Sequence, residues 1–348
     1  MAYTTIDDPS AYFQTALHSS TGSATITNDG NSDLQPDLIW SKSRSQARNH
    51  ALYDSTRGVT KYVMSNLTDA EATADSGFDL TSFDTDGFST GNNQFNVICG
   101  GDNYVAWQWK ANGGTTASNT DGTITSTVQA NTTAGFSIVT YTGTGSGATI
   151  GHGVGKELDF IIIKRRSDSA TWAVYSRELG SGKKLELNGT SGTITNAQFF
   201  TSNPTSSVFS LGTEYDVNGS GGTFVAYCFA EKQGYSKFGS YNGNGNADGP
   251  FVYLGFKPAW LMIKRTDAIS DGWYIFDSTR SPTNLVDKAF RANANNAESG
   301  ESIDLLSNGF KHRIGGNNNF NNASGTYIYM AFAEHPFVSS KGVPTTAR

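Results

Sequence analysis

The chain has 348 residues and a formal net charge of −6, from 25 Lys and Arg against 31 Asp and Glu. Charged residues make up 16% of it, against roughly 25% in an average soluble domain. An acidic chain without Lys/Arg clusters argues against a nucleic-acid partner or an anionic membrane surface. No apolar stretch approaches the ~20 residues of a membrane-spanning helix, and two cysteines cannot build a disulfide framework.

The first ten residues, MAYTTIDDPS, are polar and acidic. They lack the apolar segment of a secretory signal peptide, so we expect synthesis in a host cytoplasm and no secretion by that route. We predict that residues 1–10 form an N-terminal arm, and one hypothesis is that this arm docks the protein onto a partner.

Five sequence landmarks then recur three times in the same order, which predicts three tandem units of about 100 residues each. Each unit has an aromatic opening segment, an apolar run closed by Lys, an aromatic residue, a Phe before a turn or strand, and an alternating aromatic closing segment. The landmarks are the opening segments 12–22, 136–145 and 235–245; Lys42, Lys164 and Lys264; Tyr53, Tyr175 and Phe276; Phe88, Phe209 and Phe310; and closing segments that begin at Tyr104, Phe224 and Tyr327. We predict units over 11–110, 133–232 and 233–338, and a C-terminal tail over 339–348.

The landmarks indicate strands. In the closing segment of the first unit Val105, Trp107 and Trp109 fall on one face, and the other two units repeat this alternation. The Lys-terminated runs are apolar on both faces, which predicts a central strand covered from both sides. Short strands separated by turn signals favour an all-β chain of β-sandwich or jelly-roll units, while three blades are too few to close a propeller. Capping residues also favour short helices over 65–72 and 292–301.

The stretch between the first two units is rich in Gly, Ser, Thr and Asn. We predict a linker or long surface loop over 111–132, with a short strand at 123–128. The second and third units meet with almost no spacer and are expected to pack closely.

Two patterns resemble enzyme motifs and are better explained without catalysis. Residues 87–91, GFSTG, match the nucleophile elbow, but that motif needs a strand–turn–helix setting and partner residues. Glu214 and Asp216 share one side if their segment is a strand, as in jelly-roll glycanases with a Glu-x-Asp-x-x-Glu pattern. The third position is Gly219, so the required carboxylate set is incomplete. We expect no enzymatic activity.

Two other groups are candidate binding residues. Asn242, Asn244, Asn246 and Asp248 alternate in NGNGNADG and offer the oxygen ligands that calcium takes. The competing interpretation is a tight turn, because Asn-Gly runs favour turns, and no other cofactor is expected.

The second group precedes the aromatic landmark by three residues and consists of His50, Trp172 and Trp273. An aromatic ring at the start of a strand can stack on a sugar or contact a receptor. Packing at the edge of the core is the alternative, since Trp172 shares its strand face with Val174. A further interpretation is that each landmark Lys pairs with the Asp that follows the aromatic residue, Asp54 or Asp277, and holds two strand ends together.

With these landmarks assembled, the chain resembles a repeat family that is abundant in virion proteins of marine tailed phages, including cyanophages. The resemblance covers nearly the whole chain. It is carried by MAYTTIDDPSAYFQT, PDLIWSKSRS, YDSTRG, SFDTDGF, GFSIVTYTGTGSGATIGHGVGK, GPFVYLGFKPAWLMIKRT, FDSTR, LLSNGF and GTYIYMAFAEHPF. Units of that family look like concanavalin-A-like or laminin-G-like jelly rolls, a lectin-like fold.

The resemblance implies a structural protein of the virion surface, foremost a tail fibre or appendage component that acts as an adhesin with receptor or glycan contact. The alternative is a capsid decoration or head-fibre protein, and a polysaccharide depolymerase is the enzyme class that the incomplete carboxylate set argues against. The expected partners are other tail or capsid proteins and a host-surface glycan, in a homo-oligomer such as a trimer. The chain has no heptads or short β-solenoid period, so a knob, collar or decoration piece fits better than a shaft.

Overall fold

The computed structural model describes residues 2–316 and 319–345. Strands make up 44% of the chain and helices 2%, so the prediction of an all-β protein is confirmed. No helix among the described residues is long and apolar enough to span a membrane.

The N-terminal part of the chain forms two antiparallel sheets. The six-stranded first sheet has the order β1-β9-β3-β4-β5-β6, and a three-stranded sheet has the order β2-β8-β7. The elements are the 3-10 turn η1 (Pro9–Ala11), β1 (Phe13–His18), β2 (Ala24–Ile26), β3 (Leu38–Ser43), β4 (Ala51–Asp54), β5 (Lys61–Val63), β6 (Ala72–Thr73), β7 (Leu80–Asp84), β8 (Gly87–Thr90) and β9 (Tyr104–Trp109).

The middle of the chain forms the eight-stranded second sheet, β10-β11-β12-β20-β14-β15-β16-β17, and a three-stranded sheet, β13-β19-β18. The stretch predicted as a linker contributes β10 and β11, which extend the second sheet. The elements are β10 (Ala117–Asn119), β11 (Ser126–Asn131), β12 (Phe136–Thr142), β13 (Ala148–Gly151), β14 (Phe160–Arg165), β15 (Ala173–Ser176), β16 (Lys183–Glu186), β17 (Ile194–Thr195), β18 (Phe200–Ser202), β19 (Val208–Leu211), the helix α1 (Tyr215–Asn218) and β20 (Thr223–Phe229).

The C-terminal part forms the eight-stranded third sheet, in the order β21-β28-β23-β24-β25-β26-β27-β22. Its strands are β21 (Ser236–Asn242), β22 (Phe251–Tyr253), β23 (Phe256–Arg265), β24 (Trp273–Asp277), β25 (Val286–Arg291), β26 (Ser299–Leu306), β27 (Gly309–His312) and β28 (Thr326–Pro336).

Five neighbouring strands follow the same order in all three large sheets: β1-β9-β3-β4-β5, β12-β20-β14-β15-β16 and β21-β28-β23-β24-β25. Residues at the same place in this order and register are called equivalent below. Leu38, Phe160 and Trp260 are one such set, because each pairs with the sixth residue of its closing segment. Every residue of the Lys-terminated strands β3 and β14 is buried, as predicted for central strands covered on both sides.

The three large sheets pack against one another through one shared hydrophobic core. This core takes side chains from all three sheets and contains all six tryptophans of the chain. The opposite faces of the sheets form three separate cores beneath the outer strands. Each large sheet is therefore buried on both faces, which explains why aromatic and apolar residues appear on both sides of its central strands.

The helices predicted over 65–72 and 292–301 are wrong, since both segments are irregular with short strand ends. The capping residues serve a different purpose. The Ser65 hydroxyl donates a hydrogen bond of 2.6 Å to the carbonyl oxygen of Ala292, so it joins two sheets instead of starting a helix.

Candidate functional site

The contacts between neighbouring large sheets are called seams here, and they gather most of the conspicuous polar residues of the chain. The first–second, second–third and third–first seams use equivalent residues. Each sheet therefore contacts both others, and the three seams close a ring.

One backbone hydrogen bond recurs at each seam. Its donor lies on the segment that follows β5, β16 or β25 of one sheet. Its acceptor lies just beyond the landmark Lys of the next sheet. The three bonds run from the Glu71 amide to the Arg166 carbonyl (2.8 Å), from Thr193 to Thr266 (2.8 Å), and from Glu298 to Arg44 (3.1 Å). The third bond returns from the third sheet to the first and completes the ring.

The predicted binding residues His50, Trp172 and Trp273 are buried at these seams, with 0%, 0% and 1% of each residue exposed. Trp172 Nε1 donates to the Met64 carbonyl oxygen at 3.0 Å. Trp273 Nε1 makes the equivalent bond to Glu186 at 2.8 Å. The structure places both indoles in the packing role that sequence reasoning held as the alternative, because no sugar reaches a buried ring.

His50 takes the equivalent place at the third–first seam. Its Nδ1 accepts a hydrogen bond from Trp40 Nε1 at 2.9 Å, which leaves the proton on Nε2, 3.1 Å from the Arg291 carbonyl oxygen. Burial, with the nearby positive charge of Lys42, holds the pKa of His50 well below its usual value. The imidazole is therefore neutral and acts as a donor toward the third sheet.

Two seams carry a buried carboxylate–guanidinium pair. Asp54 Oδ2 lies 2.5 Å from Arg57 Nε and accepts the Tyr227 hydroxyl of the second sheet at 2.9 Å. Asp277 pairs with Arg280 at 2.5 Å and accepts Trp107 Nε1 of the first sheet at 3.0 Å.

The second–third seam departs from this pattern in a consistent way. Ser176 stands at the Asp position, and the residue of the third sheet that is equivalent to Tyr227 and Trp107 is Met330, whose side chain has no donor. An aspartate is therefore present where the equivalent residue of the neighbouring sheet has an N–H or O–H donor. It is absent where that residue is a methionine, which has only a thioether.

A second layer of ion pairs surrounds two seams. Arg166 binds both carboxylate oxygens of Glu71 at 2.7 and 3.0 Å, and Arg44 binds Glu298 in the same bidentate way at 3.1 Å. Burial acts to raise the pKa of Glu71, but the hydrogen bond from Arg166 and the charge of Arg57 outweigh it and lower that pKa. The Glu71 carboxylate therefore stays ionised, and both ion pairs hold neighbouring sheets together.

The landmark lysines are fully buried, and the interpretation that they pair with Asp54 and Asp277 is wrong, since Arg57 and Arg280 take those carboxylates. The ammonium groups bind backbone carbonyl oxygens instead. Lys164 Nζ lies 2.9 Å from both Thr68 and Ala170. Burial lowers the pKa of Lys164 to about 8.

A third equivalent set lies just before the Lys-terminated strand and consists of Asp37, Asp159 and Ala259. Asp37 accepts the backbone amides of Ala111, Gly113 and Gly114 at 2.7–2.9 Å. Asp159 accepts the amide of Glu231 at 2.7 Å. These amides belong to the segments that connect the first sheet to the second and the second to the third. Among the described residues the third large sheet is the last in chain order, and alanine stands at its position.

A family model described as a domain of unknown function, DUF7483, matches residues 8–336. The chain belongs to the DUF7483 family. No curated protein and no solved structure matches it significantly. In this member of DUF7483 the matched region spans all three large sheets, so the ring of seams lies within the family's domain.

The predicted calcium residues of this DUF7483 member lie in a turn after β21. Asn244 Oδ1 accepts the Asn246 amide at 2.9 Å, and Asn244 Nδ2 donates to the Asp248 carbonyl at 3.1 Å, while Asn242 ends β21. The Asp248 carboxylate lies 2.6 Å from Lys311 Nζ. This bonding is typical of a turn. Among residues 2–316 and 319–345, no three His, Cys, Asp or Glu residues form a group suited to a metal ion, and calcium at this turn stays a prediction.

The two enzyme-like patterns are separated from each other. Ser89 of GFSTG lies on β8, in a hairpin with β7 and without a following helix, and donates to Asp84 at 2.6 Å. Glu214 precedes α1 and Asp216 lies within it, so this segment is a helical turn and not a strand. Asp216 binds Lys184 at 2.7 Å.

Sequence reasoning found most seam positions but not their partners. A usable signal was present, because DSTR follows the landmark aromatic in the first and third units and is replaced by SREL in the second. That replacement coincides with Met330 in the closing segment that the second unit faces. The pairing becomes interpretable only when the ring order of the sheets is known.

Proposed function

We propose that this DUF7483 protein is a non-enzymatic structural component of the surface of a tailed-phage particle, foremost a tail fibre or appendage piece. In this proposal the chain consists of three tandem jelly-roll, lectin-like units of about 100 residues. The sequence resemblance supports the particle, and the shared strand order of the three large sheets supports the tandem units.

The observation that carries a structural role is the closed ring of seams. The arginines, aspartates, lysines and tryptophans at the repeated seam positions are buried between sheets, where they hold the units in a fixed order. A buried bidentate ion pair or carboxylate network strongly penalises its own disruption. Such a chain suits an extracellular particle that must survive without turnover.

The ring also bears on assembly. A homotrimeric appendage needs three chains to place three related units around an axis, whereas this chain supplies three by itself. The protein therefore fits a position on a three-fold axis as a single copy, such as a knob or collar, and further copies would add through its outer surfaces. Glycan or receptor contact is assigned to exposed residues, because His50, Trp172 and Trp273 are buried.

Gold-labelled antibody against the recombinant protein, applied to intact purified particles and viewed by electron microscopy, tests the proposal. Label on the tail is expected, and antibody pre-absorbed with the protein is the control. Label spread over the head would favour the decoration alternative. Absence of label from both intact and disrupted particles would refute a virion role. A polysaccharide-release assay on host capsule should show no activity, and measurable release would favour the depolymerase alternative.

A further inference from the structure

The third–first seam contains an open cleft at the edge of β1. β1 is the outermost strand of the first sheet, and within the described chain no strand pairs with its free edge. Phe13, Gln14 and Thr15 all line a cleft of about 270 Å³ there. Consecutive residues of a strand point to opposite faces, so all three reach one cleft only because it lies along the strand edge.

The opposite wall of the cleft comes from the third sheet, through Ala259, Ser278, Thr279 and Pro282. Ser278, Pro282 and two further lining residues also border a neighbouring cavity of about 700 Å³. The larger cavity is lined only by residues between 257 and 345, so the smaller cleft is the one that lies between the first and third sheets.

The equivalent place at the first–second seam is filled by the protein's own chain. There β12, the equivalent of β1, is covered by β11 in antiparallel pairing, and Gln129 of β11 lies opposite Ile138. Gln129 Nε2 donates to the hydroxyls of Ser55 and Thr56 at 3.0 Å each, so the added strand contacts both sheets.

The corresponding polar groups are present at the third–first seam without that strand. Ser278 and Thr279 are the equivalents of Ser55 and Thr56, and Thr15 is the equivalent of Ile138. The Thr15 side-chain oxygen is buried, since only 8% of this residue is exposed, and it has no hydrogen-bond partner among the described residues. An unpaired buried hydroxyl costs stability unless a partner arrives.

The second–third seam shows how side chains close the same place. There Arg177 and Glu178 stand where the third sheet has Ser278 and Thr279, and Arg177 Nε binds Asp159 at 2.7 Å. Glu178 reaches the Ser240 hydroxyl on β21. At the third–first seam the short residues Ala259, Ser278 and Thr279 leave this space open.

We propose that the β1 edge cleft binds an extended, uncharged polar peptide segment of a partner protein, which adds to the first sheet as β11 adds to the second. The segment carries a Gln or Asn side chain opposite Thr15, where it meets the hydroxyls of Thr15, Ser278 and Thr279. Strand addition of this kind takes its affinity from main-chain hydrogen bonds and its specificity from alternate side chains. A second folded copy is a poorer occupant, because its own β1 is recessed in the same cleft. The inference does not depend on the virion role, since it concerns the isolated protein.

The test uses the full chain and a fluorescein-labelled synthetic peptide with the sequence of residues 124–132, ITSTVQANT. Saturable binding by fluorescence anisotropy is expected, together with slower hydrogen exchange of backbone amides in β1. The matched peptide with Leu in place of the Gln should bind about tenfold more weakly, as the loss of its hydrogen bonds predicts.

The double variant Ala259→Asp/Ser278→Arg transfers the Asp159–Arg177 pair to the third–first seam and closes the cleft. It should abolish binding while tryptophan fluorescence, which reports on the shared core, stays unchanged. If that variant does not fold, Thr15→Val keeps the shape of the strand and should weaken binding of the Gln peptide toward that of the Leu peptide.

Three results would overturn the proposal. They are no saturable binding up to about 1 mM peptide, binding without slower exchange in β1, and binding that neither variant weakens. A concentration-dependent dimer whose β1 amides are protected without peptide would also overturn it, in favour of a second copy as the occupant.

Discussion

Tyr227 and Asp54 meet across the first–second seam, with the tyrosine hydroxyl 2.9 Å from Asp54 Oδ2 and 173 positions between the two residues in sequence. The bond joins the closing strand of the second sheet to the carboxylate that Arg57 neutralises. At the next seam Ser176 and Met330 stand at the equivalent positions, so the two interfaces are not interchangeable. The seam residues therefore specify the order of the sheets in the ring as well as holding it closed.

Asp54→Asn should destabilise the protein by about 3–5 kcal/mol, because it removes the closer of the two carboxylates that pair with the buried Arg57 guanidinium and leaves only Glu71, at 3.0 Å. Tyr227→Phe should cost about 1–2 kcal/mol, because it removes only the hydroxyl. Urea unfolding followed by tryptophan fluorescence measures both. The control is Asp69→Asn, an exposed site without an ion pair in the described chain, where a change within about 0.5 kcal/mol is expected. Equal effects of Asp54→Asn and Asp69→Asn would contradict the assignment.

Trp172→Phe should lower stability by about 2–4 kcal/mol, since it leaves a void and two carbonyl groups without their donor. Host binding by the folded variant should be unchanged, because the indole is buried. Ile269→Thr is the control, at a residue that is 78% exposed. Normal stability with loss of host binding in Trp172→Phe would restore the ligand role that sequence analysis considered.

The local parts of this architecture could be predicted from the sequence, and the seams could not. The alternation of Val105, Trp107 and Trp109 predicted a strand with one apolar face, because side-chain direction depends only on neighbouring residues. Nothing local shows that this face packs against two other sheets rather than one. The sequence therefore identified Trp172 as a repeated position, but it did not decide whether the side chain lies at the surface or in the core.

The capped segments at 65–72 and 292–301 show the same limit. Ser, Thr and Asn favour a helix start when their side chains bind nearby amides, but Ser65 binds a carbonyl of another sheet. A long-range partner outweighed the local preference. The prediction of a linker over 111–132 did not include the pairing of β11 with the second sheet, for a related reason. Gln129 and its strand are held by residues of both the first and second sheets.

The protein should lose stability as the pH falls below 6.5. Burial lowers the pKa of His312 to about 3 and those of His18 and His152 to about 4, and His50 also lies well below its usual value. In the unfolded chain these groups bind protons from pH 6.5 downward, while the folded chain does not, so acid favours unfolding. The pKa values of Asp79, Glu231 and Glu301, which burial raises, act in the opposite direction.

His312→Leu tests this directly. Both ring nitrogens of His312 lack partners in the described structure, and the second unit has leucine at the matching place, Leu211, two residues after the landmark Phe209. Between pH 6.5 and 5 the wild type should lose about 1 kcal/mol per pH unit more than the variant. Thermal unfolding at pH 7.5 and pH 5 measures the difference. Identical pH dependence of both proteins would show that His312 titrates normally when folded.

Asp37→Ala should release the segment that connects the first sheet to the second. Its carboxylate accepts three backbone amides and the Ser55 hydroxyl, so we expect a loss of about 2–4 kcal/mol and faster hydrogen exchange at 111–114 and in β11. Exchange in the third sheet should be unchanged, because the equivalent residue there, Ala259, has no side-chain acceptor. Mass-spectrometric hydrogen exchange resolves the two regions. Uniformly faster exchange across all three sheets would instead make Asp37 a determinant of the whole ring, and the connecting segment would then be as stable as the core it joins.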